Sequence, residues 1–306
     1  MADISPFSIS VPQNQLDDLH QRLKLAKFPD ELDESGWDLG TPVSVTRSLV
    51  EYWRDKFDWR AAERRLNELP HFMTEITVDG FDPLQIQFLH RKSPVKGSIP
   101  LLYVHGWPGS FLEGTKILDT LSGDGIKDPA FDVVIISLPN YGFSSGPTKR
   151  GFGLEQYAET CHKLMLKLGH EQYVTQGGDW GFYITRTISL LYPQHCKATH
   201  INFDYGGGAP SWFQYPLLAL EHSLRPYSER EKEGLERREW FTKESSGYRA
   251  IQATKPTTVS YAFTDSPVAL MGWMYEKLHD WTDEYPWTEE EVCTWVSIYY
   301  FSTAGP

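Results

Sequence analysis

Two hydrophobic rhythms alternate along the chain and outline its elements. Gln13–Leu25 carries Leu16, Leu19 and Leu23 at helical spacing, and Arg47–Phe57 and Arg60–Leu69 repeat that pattern. The first of these two is rich in aromatics (Tyr52, Trp53, Phe57). His71–Val78 and Leu84–His90 then read as paired strands joined through the turn cluster Asp79-Gly80-Phe81-Asp82-Pro83. Beyond them, short apolar runs at Pro100–His105, Phe131–Leu138, Tyr173–Gln176 and Ala198–Phe203 predict strands. Helical stretches at Phe111–Leu121, Leu154–Leu168 and Phe182–Tyr192 separate them. In the middle helix Tyr157, Cys161, Leu164, Met165 and Leu168 share one face, and Gly169 follows where a C-terminal glycine cap belongs. Such strict alternation predicts an α/β fold, a parallel-type sheet with helices on both faces.

After Phe203 the rhythm breaks. The segment to about residue 288 is rich in Trp, Tyr, Pro and charge, and reads as a helical insertion. Ser228-x-x-Glu231 is a capping-box pattern, and Ser266-Pro267 marks another helix start. Glu289–Phe301 resumes a helix. The expected organisation is therefore an N-terminal helical extension leading into the first strands (1–95), a core (96–204), a helical cap (205–288) and the start of a returning core helix (289–306).

Composition narrows the class. A formal net charge of -12 argues against nucleic acid or an anionic membrane as partner. The longest apolar runs are strand-sized, so no membrane span is expected. The N-terminus has neither the basic flank nor the apolar stretch of a signal peptide. Cys161, Cys196 and Cys293 are scattered without C-x-x-C spacing, which fits buried thiols in a reducing, cytoplasmic setting. Nothing in the motifs calls for a metal or a cofactor.

The chemistry concentrates in two glycine-rich loops. Gly177-Gly178-Asp179-Trp180-Gly181 sits between a predicted strand and a predicted helix, the small-x-nucleophile-x-small elbow with Asp at its centre. Read alone, the same residues also fit a helix N-cap after a flexible loop. An elbow lifts its side chain clear of the sheet, and the helix N-terminus behind it is expected to keep the carboxylate ionised. Attack by Asp on an acyl carbon would give an anhydride, whereas attack on an sp³ carbon bearing a leaving oxygen or halide gives an alkyl ester. An Asp elbow therefore points to epoxides or haloalkanes. His105-Gly106-Trp107-Pro108-Gly109 follows the strand that would precede an oxyanion loop, and the backbone N–H groups of Trp107 and Trp180 are the expected oxyanion donors above Asp179.

These loops, with Pro139-Asn140-Tyr141-Gly142-Phe143-Ser144, resemble the microsomal-type and fungal epoxide hydrolases of α/β-hydrolase fold. The resemblance runs through Gly247–Val259 and Asp265–Leu270 in the insertion, and the helical N-terminus resembles that family's extension. It covers nearly the whole chain. One departure is Asn140 where glycine is usual, and Asn tolerates left-handed backbone. The resemblance implies Asp179 as nucleophile and Tyr248 as one of two cap tyrosines that donate to the epoxide oxygen. Without it, Tyr248 reads as an aromatic packed inside the cap.

The resemblance places the second tyrosine, the acidic partner and the catalytic histidine in segments beyond residue 306. Asp204, just after the last predicted strand, is an alternative acid. The implied activity is hydrolysis of a small lipophilic epoxide to a vicinal diol through an ester on Asp179. Other readings stay open: a haloalkane dehalogenase, an epoxide-opening cyclase, or a degenerate hydrolase fold serving as a binding subunit. A core without its last strands would expose an edge that a second copy or a partner chain would cover.

Overall fold

The computed structural model describes residues 4–123, 129–203 and 209–302. The chain divides into two compact units, Met1–Phe203 with Ser260–Pro306, and Asp204–Val259.

In the larger unit, β1 (Ser5–Pro6), β2 (His71–Ile76), β3 (Leu84–Arg91), β4 (Ile99–Val104), β5 (Phe131–Ile136), β6 (Tyr173–Gly177) and β7 (Cys196–Ile201) form one sheet. Their spatial order is β1-β2-β3-β5-β4-β6-β7. The stretch β5-β4-β6-β7 is parallel, as the βαβ rhythm predicts. The first strands join it antiparallel, β2 on β3 and β3 on β5, so the sheet is mixed.

Around the sheet lie α1 (Gln13–Lys24), α2 (Val43–Asp55), α3 (Trp59–Leu66), α4 (Leu118–Ser122), α5 (Leu154–Lys167) and α6 (Trp180–Leu191). Side chains alternate along each strand and feed two cores. Leu102 and Val104 of β4 face one core with Val134 and Ile136, closed by Cys161, Leu164 and Met165 of α5 and Ile184 and Ile188 of α6. Leu101 and Tyr103 face the other with Val133 and Ile135, closed by Trp59, Ala62 and Leu66 of α3 and by Phe111. Each fully buried Leu, Ile or Phe contributes roughly 1.5–3 kcal/mol.

One expectation shifts. Phe111–Leu121 is not one α-helix: Phe111–Ile117 is a 3-10 helix, and only Leu118–Ser122 is α-helical. Gly114 lies so close to Ile135 that an added Cβ would come within 2.6 Å of Ile135 Cδ1, so this segment hugs the sheet. Gly169 ends α5 with φ +86°, as a glycine cap should.

The smaller unit contains α7 (Pro216–Leu224), α8 (Glu229–Trp240), a π-helical turn at Phe241–Ser245, and α9 (Gly247–Thr254). Ser228 and Glu231 form the anticipated capping box on α8. Then α10 (Pro256–Asp265) crosses the division, followed by α11 (Pro267–Asp280) and α12 (Glu289–Phe301). Ser266 caps α11, and Thr288 with Glu291 boxes α12. The smaller unit ends at Val259, whereas the pattern along the chain carries the insertion to 288. Helix α11 packs on α1 and α2 instead, and Arg22 of α1 binds Asp265 through its side chain (2.8 Å) and its carbonyl (2.6 Å).

Candidate active site

Three loops leave the C-terminal ends of three adjacent parallel strands: His105–Gly109 after β4, Pro139–Ser144 after β5, and Gly177–Gly181 across the end of β6. Open α/β sheets bind ligands at this edge. Asp179 has φ +49° and ψ -122°, a conformation that L-residues seldom adopt and that persists only where the surroundings enforce it. Its glycine neighbours permit the turn. A Cβ on Gly181 would lie 2.0 Å from Val104 O, one on Gly177 2.3 Å from Gly181 O, and one on Gly178 2.3 Å from Asn202 Oδ1.

Strand β4, the turn and α6 thereby close to backbone contact, with the Asp179 carboxyl under the oxyanion loop. Trp107 N–H donates to Asp179 Oδ1 at 2.8 Å. The Trp180 N–H, opening α6, also hydrogen-bonds this carboxyl. The sequence places these two donors above Asp179; in the structure they grip the carboxyl itself. The helix N-terminus favours the ionised form through the Trp180 N–H, but burial acts against it. Burial is the largest influence and lifts the Asp179 pKa above the ordinary range, while the two N–H groups pull it back down. Gly106 is equally constrained, since a Cβ there would sit 2.3 Å from Asp179 Oδ1.

The oxyanion loop is held from beneath. His105 is fully buried, and its Nε2 accepts from Leu138 N–H (3.2 Å). Its Nδ1 therefore carries the proton and donates to Gly106 O (3.0 Å). Burial pushes the His105 pKa down to about 4, so this imidazole is neutral and structural. The Trp107–Pro108 peptide is cis. Helix α12 reaches the same loop: Trp295 Nε1 donates to Pro108 O and Tyr299 OH to Gly109 O, each at 2.6 Å.

The third loop turns at Asn140 (φ +67°) and Gly142 (φ +53°), so Asn fills a left-handed position as its chemistry allows. Ser144 Oγ donates to Ser137 O (2.7 Å) and accepts from Gln87 N–H (2.9 Å), tying the loop to β3.

Glu113 is the residue that motif reading missed. Its Oε1 lies 3.5 Å from Gly106 N, and a Cβ on Gly109 would strike it. Part of the residue touches solvent, but the carboxyl is enclosed. Burial, reinforced by the Asp179 charge and opposed by the Gly106 N–H, raises its pKa to about 8. A carboxyl seven positions after the loop's first glycine was the only signal, and it carries no motif. Tyr299 and Trp295 left no local trace either.

Of the remaining candidates, Tyr248 is half-buried in the first turn of α9, within the smaller unit. Asp204 lies outside the described residues. Among the described residues no helix is long and apolar enough to cross a membrane.

Comparison with known proteins places this geometry in a family. Residues 4–114 match the family model "Epoxide hydrolase N terminus", and residues 99–202 match that of the alpha/beta hydrolase fold. Epoxide hydrolase 1 of Sus scrofa is 37% identical over 92% of this chain and 63% of its own length. The solved Aspergillus niger epoxide hydrolase superposes with a TM-score of 0.85 at 34% identity, covering 99% of this chain and 76% of that one. The juvenile hormone epoxide hydrolase of Bombyx mori gives 0.87 at 30% identity, covering 98% and 74%. The chain spans slightly less than two thirds of the length of the first curated relatives it matches, 66% and 63%. With its N-terminal helices, its oxyanion loop and its Asp elbow on an α/β-hydrolase sheet, the chain belongs to the epoxide hydrolase family.

Proposed function

We propose that this site opens an epoxide by attack of the Asp179 carboxylate on a ring carbon, as the first half of hydrolysis to a vicinal diol. The observation that carries the reading is the grip of Trp107 N–H on Asp179 Oδ1 at a strained turn. With one oxygen held, the other is aimed at substrate. As the new C–O bond forms, the ring C–O bond breaks and its electron pair goes to the ring oxygen, which takes the phenol proton of Tyr248. The product is an alkyl ester on Asp179. Water adding to the ester carbonyl would place negative charge on its oxygen, which Trp107 N–H at Oδ1 and the Trp180 N–H on the same carboxyl group are there to meet. Collapse of that intermediate breaks the bond between the acyl carbon and the substrate oxygen, which takes the proton of the newly formed carboxylic acid and leaves as the diol with Asp179 again a carboxylate. The proton that the base took from water returns to the Tyr248 phenolate. By the family resemblance, a histidine is the base that activates this water.

The lipophilic substrate rests on the aromatic content of the chain, and a reducing compartment on three free, buried cysteines. Leu190, Leu191 and Ile201 are exposed beside the edge strand β7, which supports cover by further polypeptide.

Incubation with a reactive terminal epoxide, read by intact-protein mass spectrometry, tests the central step. One adduct mapping to Asp179, absent in Asp179→Asn, is expected. Labelling that survives this isosteric change would remove Asp179 as nucleophile. Release of halide from haloalkanes in place of epoxide labelling would favour the dehalogenase reading.

A further inference from the structure

At the opposite edge of the sheet, three side chains far apart in sequence converge. His90 lies near the end of β3, Asp132 near the start of β5, and His170 in the connection from α5 to β6. Because β3 runs antiparallel to β5, the end of one meets the beginning of the other, with His90 opposite Val134 and Arg91 opposite Val133. The cluster thus sits at the N-terminal ends of the parallel strands, whereas the Asp179 loops leave the C-terminal ends.

Its geometry suits a cation. His90 Nε2 is 3.2 Å from Asp132 Oδ1, and His170 Nε2 is 3.6 Å from Asp132 Oδ2. One ligand atom from each residue can be chosen so that all lie within 4.8 Å of one another. A tetrahedral ion with bonds of about 2.0–2.1 Å separates its ligands by about 3.3–3.4 Å. Both contacts are near that value, one to each Asp132 oxygen, so an ion between the rings would take the carboxylate through both oxygens or through one after a turn of its plane.

The second observation is an unmet need. His170 Nε2 is buried and has no hydrogen-bond partner, although it faces the carboxylate. A buried polar nitrogen left so costs roughly 1–3 kcal/mol. Hydrogen bonding leaves it unsatisfied, and a shared cation would satisfy it together with His90 and Asp132. A neutral imidazole offers the lone pair that such an ion needs. Lys92 adds positive charge to the neighbourhood and works against a cation.

We propose that His90, Asp132 and His170 form a binding site for a divalent transition-metal ion of the zinc class. Two imidazoles and one carboxylate are ligands that Zn²⁺ and Co²⁺ accept, whereas Mg²⁺ and Ca²⁺ prefer an oxygen shell. Pinning β3 to β5 and to the α5–β6 connection, the ion would act on stability, since it sits at the sheet edge away from Asp179.

Cobalt is the probe. Co²⁺ added to the metal-stripped full chain should give the visible absorption of a tetrahedral ion at one equivalent, and Zn²⁺ should displace it. The melting temperature should rise with free Zn²⁺. His170→Gln and Asp132→Asn should each weaken Co²⁺ binding by about tenfold or more. Asp179 labelling by the reactive epoxide should be unchanged by Zn²⁺, so failure of the metal site is distinguishable from failure of the proposed activity. Absence of a one-equivalent cobalt spectrum in the wild-type chain would overturn the proposal without recourse to any variant. Undiminished binding in folded His170→Gln would overturn it equally, by placing the ion elsewhere.

Discussion

Replacing Gly106 by alanine tests whether the oxyanion loop and the Asp179 carboxyl must touch. The added Cβ would lie 2.3 Å from Asp179 Oδ1, 2.4 Å from Asp179 Cβ and 2.7 Å from Asp179 Cγ, where ordinary contact begins at 3.4 Å. Loop and carboxyl must therefore separate by about 1 Å, which breaks the 2.8 Å bond from Trp107 N–H. Nothing nearby is a flexible tip, because His105 is pinned at both ring nitrogens and Tyr299 and Trp295 hold the far side. Overpacking of this kind costs roughly 1–3 kcal/mol of stability. The larger effect should fall on chemistry, since a reacting group displaced by about 1 Å loses on the order of 10²-fold in rate. Two measurements read it: the single-turnover rate of Asp179 labelling by mass spectrometry, and urea unfolding. Gly272→Ala is the control. Gly272 lies in α11, its nearest contact for a new Cβ is 3.9 Å, and alanine there should be neutral or stabilising by up to about 1 kcal/mol. Wild-type labelling by a folded Gly106→Ala chain would refute the claim that the contact positions the nucleophile.

Three further outcomes are expected. Tyr248→Phe should slow labelling by roughly 10²–10⁴-fold with little change in urea unfolding, and an unchanged rate would leave Tyr248 a packing residue. Tyr299→Phe deprives the buried Gly109 carbonyl of its 2.6 Å donor and should cost about 1–3 kcal/mol in denaturant unfolding, with slower labelling through the loosened loop. Loss of neither would show that the loop stands without α12. Glu113 has its pKa raised from 4.5 to about 8 in the fold, so its contribution to stability is full below 4.5 and drains away as pH rises through 8. Glu113→Gln should therefore gain stability relative to the parent chain between those values; parallel pH profiles for the two would contradict the enclosed, protonated carboxyl.

Periodicity along the chain was sufficient for every strand from β2 to β7 and for the helices around them except Phe111–Leu121, which is mostly 3-10, because burial on one or two faces imposes a rhythm of two or 3.6 on consecutive residues. The elbow and the oxyanion loop were legible for a related reason. At the elbow, Gly177, Gly178 and Gly181 leave room for atoms that an added Cβ would meet at 2.0–2.3 Å, and all three lie within two positions of Asp179. Local capping was readable too, as Ser228, Ser266 and Thr288 show. What no window of sequence contained was the meeting of distant segments. The strand order that sets β4 between β5 and β6, the antiparallel graft of β3, and the end of the smaller unit at Val259 depend on which apolar faces find each other. So do the donation of Tyr299 to Gly109, 190 residues away, and the gathering of His90, Asp132 and His170. The same holds for ionisation: helix polarity is written in the local sequence, but the burial that lifts Asp179 and Glu113 exists only once the loops close over them.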